Sequence, residues 1–419
     1  MNRNDRSIAS FTGVGHGTFH GFELAIPLFV PVWLATLETT PTVLGIVVGA
    51  GYALIGLGAP VAGVLADAYG SKRLVLVSIG GMGLAFAGLS VVDSIGALAV
   101  ALVVWGAAAS LYHPAGLSLI SRGASQRGTV LAVHGAGGNI GMVVVPLAAI
   151  FLLAFFEWRL VALALAAPAA LCVVAGMLLS FEEGDAADES ESVRIDESSP
   201  LESLRGFRSN SRGLFVGGFV LVFAIQMVYG MYYRGIFTFL PDVLADVPVF
   251  EPVAIGGREI SAGQFAYSGL LLIGVFGQYA GGTFSDRIQP ELALVGTFAV
   301  LVVASALFVP AASVGLVPLL VVCAVLGFFI YAFAPIGQTL VAEYVPEGSH
   351  GLSYGYVYLG TFGVGALGAA IAGATLDFGG TAALFTTLAG LAVCTLAIAT
   401  LLFRRARRGR TDPTTRSGA

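Results

Sequence analysis

Three ionisable side chains interrupt the apolar stretch 8–34: His16, His20 and Glu23. Spacings of four and three put them on one face if that stretch is helical. A carboxylate and an imidazole one turn apart can take up and give off a proton as a unit. Three more ionisable residues fall inside apolar runs: His113, His134 and Arg234, the last preceded by Tyr229, Tyr232 and Tyr233. A guanidinium in such surroundings needs an anion, from the protein or from a bound solute. Glu23 can be that anion only if the two residues reach the same depth. For any single histidine the ordinary alternative is a packing residue, and His134, near one end of its run, fits that alternative. The His16–His20–Glu23 stripe fits it less well, because three polar groups on one face need a wet or polar surface opposite.

The elements that must position these groups follow from composition. The chain has 419 residues, 57% hydrophobic and only 11% charged, where soluble domains run near a quarter charged. This is the composition of an integral membrane protein. A bilayer-spanning helix needs about 20 apolar residues, and twelve such runs are present: 8–34, 42–66, 74–92, 96–120, 128–152, 158–180, 213–241, 262–283, 291–310, 313–341, 351–375 and 380–403. They are rich in Gly, Ala, Val and Leu, which suits close helix packing in lipid. A membrane β-barrel would show short alternating segments instead. The expected fold is all-α, with twelve transmembrane helices. Ionisable residues inside such helices are functional candidates by default, and tyrosines beside Arg234 fit either a cavity wall or an interfacial belt.

Seventeen of the 20 basic residues fall before run 1, in alternate loops, or in the tail after run 12; the exceptions are Arg159, Arg234 and Arg258. The positive-inside rule then places both termini in the cytoplasm, and an even helix count agrees. The segment 242–261 is expected outside. Residues 181–211, acidic and Ser-rich with a basic end, read as a cytoplasmic linker. The expected organisation is 1–180, the linker 181–211, a second half 212–403 and a basic cytoplasmic tail 404–419. Cys172, Cys323 and Cys394 lie within runs and show no disulfide or metal spacing. No cleavable signal sequence is recognisable, so the first run is kept as helix 1.

The linker divides two related halves. "GVLAD" at 63–67 pairs with "GTFSD" at 282–286, an offset of 219, and "HPAGLSL" at 113–119 pairs with "APIGQTL" at 334–340, an offset of 221. Near-equal offsets indicate duplication into two six-helix, pseudo-symmetric halves, an arrangement found in secondary transporters with the substrate site between the halves. The loop "GVLADAYGSKR" supplies Gly63, Asp67, Gly70, Lys72 and Arg73. Its glycines allow a tight turn, and Asp67 can accept from a neighbouring helix start or pair with Arg122. Together with Asp286, its counterpart in the second half, this set reads as a latch on one conformational state; the alternative is a static turn with solvated charges.

On "GVLADAYGSKR" and on "EWR" at 157–159, nearly the whole chain resembles the major facilitator superfamily. Within it, "YHPAGLSLISRGASQRG" followed by "HGAGGNIG" is most similar to the fosmidomycin-resistance group of exporters. The resemblance implies that helices 1, 4, 7 and 10 line a central cavity, so that His20, Glu23, His113 and Arg234 face it; Tyr233 is carried as a candidate cavity residue beside them. It also implies movement of a small solute by rocking of the halves, in many members driven by protons. One segment departs from the pattern. Antiporters of the superfamily often carry glycines around the proline of helix 5, whereas "GGNIGMVVVPLA" has Val145 before Pro146 and no glycines after it.

The expected function is secondary active transport of a small organic solute, an anion or a drug, across the plasma membrane, most simply proton-coupled export by a monomer. The alternatives are a proton-coupled importer and a non-transporting sensor of the same fold, though a sensor would more often carry an added soluble domain. No nucleotide, metal or nucleophile motif points to an enzyme, and no cofactor or nucleic-acid partner is expected.

Overall fold

The computed structural model describes residues 1–184, 214–215, 218–255, 258–345 and 350–411. Most of the expected linker and the end of the tail lie outside the described residues. The first half consists of α1 (Arg3–Thr36), α2 (Pro41–Tyr69), α3 (Ser71–Leu89), α4 (Ile95–Ser110), α5 (Tyr112–Gly123), α6 (Arg127–Phe155) and α7 (Trp158–Leu178). The second consists of α8 (Phe219–Ala245), α9 (Ala262–Arg287), α10 (Pro290–Val314), α11 (Leu316–Tyr344), α12 (His350–Tyr358), a π-helical turn (Leu359–Val364) and α13 (Leu367–Thr411).

Among the described residues, ten helical stretches are long and apolar enough to cross a membrane. One of them, Ser353–Arg408, is 56 residues long, far more than one crossing needs. It turns at Gly380, whose φ of 64° breaks the helix, and so provides two crossings. With α9 added, the architecture is consistent with twelve. Run 4, expected as one helix, is broken at Leu111 into α4 and α5. The 242–261 segment contains a two-stranded hairpin, Val253–Ile255 against Arg258–Ile260, which hydropathy alone did not suggest.

Local signals set the helix ends. The Asn2 side chain accepts from the Asp5 N–H at 2.7 Å, an N-cap. Thr40 caps α2, with Pro41 at its first turn. Gly70, at φ 88°, makes the sharp step from α2 to α3.

The same helix pairs recur in both halves. In the first, α1 packs on α6, α2 on α4 and α3 on α7; in the second, α8 packs on α13, α9 on α11 and α10 on α13. Small residues set the approach between α1 and α6: a Cβ at Gly141 would collide with the Gly17 backbone, and one at Gly137 with that of Gly13.

The halves meet mainly on the side away from the termini. Gly45 and Gly49 of α2 lie against the backbone of Ala369 and Ala366, and Gly373 against that of Pro41. The Asp377 carboxylate accepts from the Thr42 N–H at 2.8 Å, which ties the start of α2 to the second half. Phe151 of α6 meets Phe265 of α9 at 5.5 Å between ring centroids. Toward the termini a cavity opens between the halves.

Candidate functional site

Glu23 sits four residues before Pro27 in α1. Pro27 has no N–H, so the Glu23 carbonyl lacks its intrahelical donor. The Tyr52 hydroxyl of α2 donates to that carbonyl at 2.9 Å. This holds the Tyr52 ring where the Arg234 guanidinium carbon lies 3.9 Å from its centroid, a cation–π contact. The next carbonyl, that of Leu24, accepts from the Tyr267 hydroxyl of α9 at 3.0 Å. Two tyrosines, one from each half, therefore fix the backbone around Glu23.

The Glu23 carboxylate is shared. Nη2 of Arg234, on α8, donates to Oε1, and His20 Nδ1 lies 2.6 Å from Oε2. The Arg234 and Glu23 side chains are 2% and 1% exposed, while His20 is 25% exposed. A charge pair this deeply buried is held together strongly, because either partner alone would be an uncompensated ion. The two residues do reach the same depth, and the pair joins the two halves of the molecule. Arg234 also lies 5.1 Å from the Tyr233 ring and 5.6 Å from that of Phe362, and its Nε has no hydrogen-bond partner among the described residues.

Glu23 stands at the wall of a cavity of about 250 Å³, smaller than the usual drug-sized site, whose lining includes His16, His20, Glu23, His113, Tyr233 and Tyr358; Arg234, expected to face the cavity, is buried behind Glu23 and is not among the lining residues. Amides face it from both halves: Asn139 of α6, Gln226 of α8, Gln278 of α9 and Gln338 of α11. Gln226 is oriented by Thr361, whose hydroxyl donates to Oε1 at 3.1 Å. Tyr229 is stacked on Phe333 at 3.7 Å and donates to the Ile330 carbonyl at 3.0 Å. Tyr232 turns away from the cavity and shares a 2.8 Å hydrogen bond with Ser305. Tyr229 and Tyr233 line the cavity and Tyr232 is buried against Ser305, so the three do not form an interfacial belt.

Four of the chain's five histidines gather beside the pair. The His16 ring lies 4.7 Å from His20, 5.2 Å from His113 and 4.0 Å from His134 between centroids. His134 is 5% exposed and stacks behind His16; it is not among the cavity-lining residues. The ring nitrogens of His16, His113 and His134 come within 4.8 Å of one another. No spacing in the sequence announces this cluster, because its members come from α1, α5 and α6.

The loop residues gather elsewhere. Arg122 Nη1 donates to Asp67 Oδ1 at 3.0 Å and Nη2 to Ser71 Oγ at 2.7 Å. Lys72 Nζ donates to the Leu179 carbonyl at 2.5 Å, and its backbone N–H donates to Glu183 Oε2 at 3.1 Å. A Cβ at Gly63 would meet nothing within 4 Å. Arg73 and Asp286 are exposed, and Asp286 has no ion pair among the described residues. Asp67 and Arg122 do meet, but both belong to the first half, so their pair does not by itself join the halves. The same region holds buried Asp5, which accepts from the Ser125 and Gln126 N–H groups at 2.8 and 3.2 Å and so pins the N-terminus to the α5–α6 turn. Neither Asp5 nor Tyr52 carried a sequence signal of its role.

The fold has solved counterparts. A bacterial homologue of the human lysosomal transporter Spinster, inward-facing and occupied, is similar with a TM-score of 0.73 at 14% identity, over 97% of this chain and 98% of that one. The nucleoside transporter NupG is similar with a TM-score of 0.72 at 18% identity, over 95% and 99%. A peptide transporter, POT, in complex with alafosfalin is similar with a TM-score of 0.69 at 14% identity, over 96% and 95%. No curated protein matches the sequence. The family model of the Major Facilitator Superfamily matches residues 14–333 and 260–418. With an all-helical membrane architecture, repeated helix pairing and a polar cavity between halves, the chain belongs to the Major Facilitator Superfamily of transporters.

Proposed function

We propose that this transporter is a proton-coupled exporter of the plasma membrane, similar to the fosmidomycin-resistance group, that works as a monomer with both termini in the cytoplasm. The observation that carries the reading is the Glu23 carboxylate, shared at the cavity wall between Arg234 of the opposite half and His20 of its own helix. A proton added to this unit weakens the tie between the halves, and a proton lost restores it. The state of the cavity and the charge of the site are thereby linked.

The same linkage constrains the cargo. A cationic or uncharged solute that takes the place of a proton at Glu23 competes with protons, which is the requirement for antiport. An anion that takes Arg234 leaves Glu23 to accept a proton, so anion and proton would travel together, as in import. Export by antiport therefore favours a small cationic or uncharged drug with hydrogen-bonding groups that match the cavity amides. In this reading the Gly63–Arg73 loop, with Arg122 and Asp286, steadies one state of each half.

The test is transport in proteoliposomes with and without a pH gradient, across a panel of cationic, uncharged and anionic solutes. Glu23→Gln is expected to keep counterflow exchange but lose uphill transport driven by the gradient, and His20→Ala to shift the pH optimum. Uphill transport by Glu23→Gln at the wild-type rate would overturn the assignment.

A further inference from the structure

We infer that His16, His113 and His134 form a three-histidine site for a divalent late first-row transition metal of the zinc class, at the first-half wall of the cavity. The inference does not depend on which solute is moved or in which direction.

The donor set suits such an ion. His16 Nδ1 lies 2.9 Å from the His134 carbonyl. A carbonyl only accepts, so Nδ1 carries the proton and Nε2 keeps its lone pair. The His134 Nδ1 is buried with no hydrogen-bond partner among the described residues. One imidazole is thus held by a backbone carbonyl in the tautomer that leaves Nε2 free, and a second presents a buried nitrogen without a partner. The first is the outer-shell arrangement that orients histidine ligands around a metal. An unpartnered ring nitrogen this deeply buried otherwise forfeits a hydrogen bond.

The third ligand is placed to complete the set. His113 is the second residue of α5, just past the break at Leu111, and its ring is edge-on to His16 at 5.2 Å. A tetrahedral zinc with Zn–N bonds of about 2.0–2.1 Å holds its donors about 3.4 Å apart. The three nitrogens now lie within 4.8 Å of one another, so binding requires them to close by up to about 1.4 Å. Three neutral imidazoles and no carboxylate favour Zn2+, Co2+, Ni2+ or Cu2+ over Mg2+ or Ca2+. The cavity beside His16 and His113 leaves a fourth position for water. His20 is not counted as a ligand, because the ring nitrogens that come within 4.8 Å of one another among the described residues are those of His16, His113 and His134.

The experiment uses the full chain, purified in detergent on a tag without histidines. Calorimetric titration with ZnCl2 is expected to give one ion per chain with a micromolar Kd, and CoCl2 to give visible d–d absorption that one equivalent of zinc abolishes. His113→Ala and, separately, His16→Gln are expected to raise the zinc Kd at least tenfold while the protein stays monodisperse. A Cys172→Ser/Cys323→Ser/Cys394→Ser variant should retain the site, which separates it from thiol binding. MgCl2 should give no heat. Monodisperse wild-type protein that binds no zinc below about millimolar concentration would overturn the inference, as would zinc binding unchanged in both histidine variants. The latter result would mean that the cluster is only a packed group of rings.

Discussion

The buried pair makes an asymmetric prediction about stability. Glu23→Gln leaves the Arg234 guanidinium enclosed without an anion. Arginine cannot shed its proton, and the Tyr52 face at 3.9 Å returns only about 1–2 kcal/mol. The expected cost is about 3–5 kcal/mol, the usual result of stranding one member of a buried pair. Arg234→Gln is milder, because the stranded carboxylate still has His20 at 2.6 Å and can neutralise itself by taking a proton; about 1–3 kcal/mol is expected. Glu23→Gln/Arg234→Gln removes both charges and should recover most of the loss, since replacing a whole buried pair is often close to neutral. The coupling between the two sites should thus be roughly 2 kcal/mol or more. For a unit the size of one half, the larger single loss corresponds to a fall of about 6–20 °C in the unfolding midpoint. A maleimide dye that fluoresces on reaching Cys323, which is 2% exposed, can follow unfolding in a Cys172→Ser/Cys394→Ser background. A Glu23→Gln midpoint equal to wild type would refute the argument, and so would a double variant as unstable as the two single losses summed.

Three further outcomes follow from the packing, the loop charges and the topology. Gly141→Ala should lower the midpoint by about 1–3 kcal/mol worth of stability, because its Cβ meets the Gly17 backbone, whereas Gly135→Ala, with nothing within 4 Å of the new Cβ, should change it little. Asp67→Asn should cost less than about 1 kcal/mol of stability, since Asp67 is 68% exposed beside Arg122. Its expected effect is on turnover, with solute affinity kept; turnover at the wild-type value would return the loop to a static turn. In a cysteine-free background, a cysteine placed at Glu251 should react with impermeant reagent added outside intact cells and one at Arg408 should not, and the reverse pattern would invert the proposed topology.

Much of this protein is legible from one-dimensional pattern. Apolar run length is a direct consequence of bilayer thickness, so the crossings are readable without knowledge of any contact. The duplication is readable too, because "GVLAD" and "GTFSD" keep their places at equivalent helix ends. Spacing along a single helix is equally direct, which is why His20 and Glu23 were expected on one face and do meet at 2.6 Å.

What the sequence could not decide is how neighbouring helices are rotated and how deep each sits. Glu23 and Arg234 are 211 positions apart, and nothing along either helix reveals that they share a depth. That was settled by backbone-to-backbone contacts at small residues and by Tyr52 and Tyr267 bonding to the carbonyls around Glu23. The four-histidine cluster has the same origin: its members come from α1, α5 and α6, and only the rotation and depth of those helices bring the His113 ring within 5.2 Å of His16. Asp67 and Arg122 were readable as a pair of opposite charges, but their confinement to one half was not, because charge type carries no information about which helices its partner belongs to. Periodicity along one element is written locally in the chain, whereas meeting points between elements depend on the shapes of all the surfaces that must pack at once.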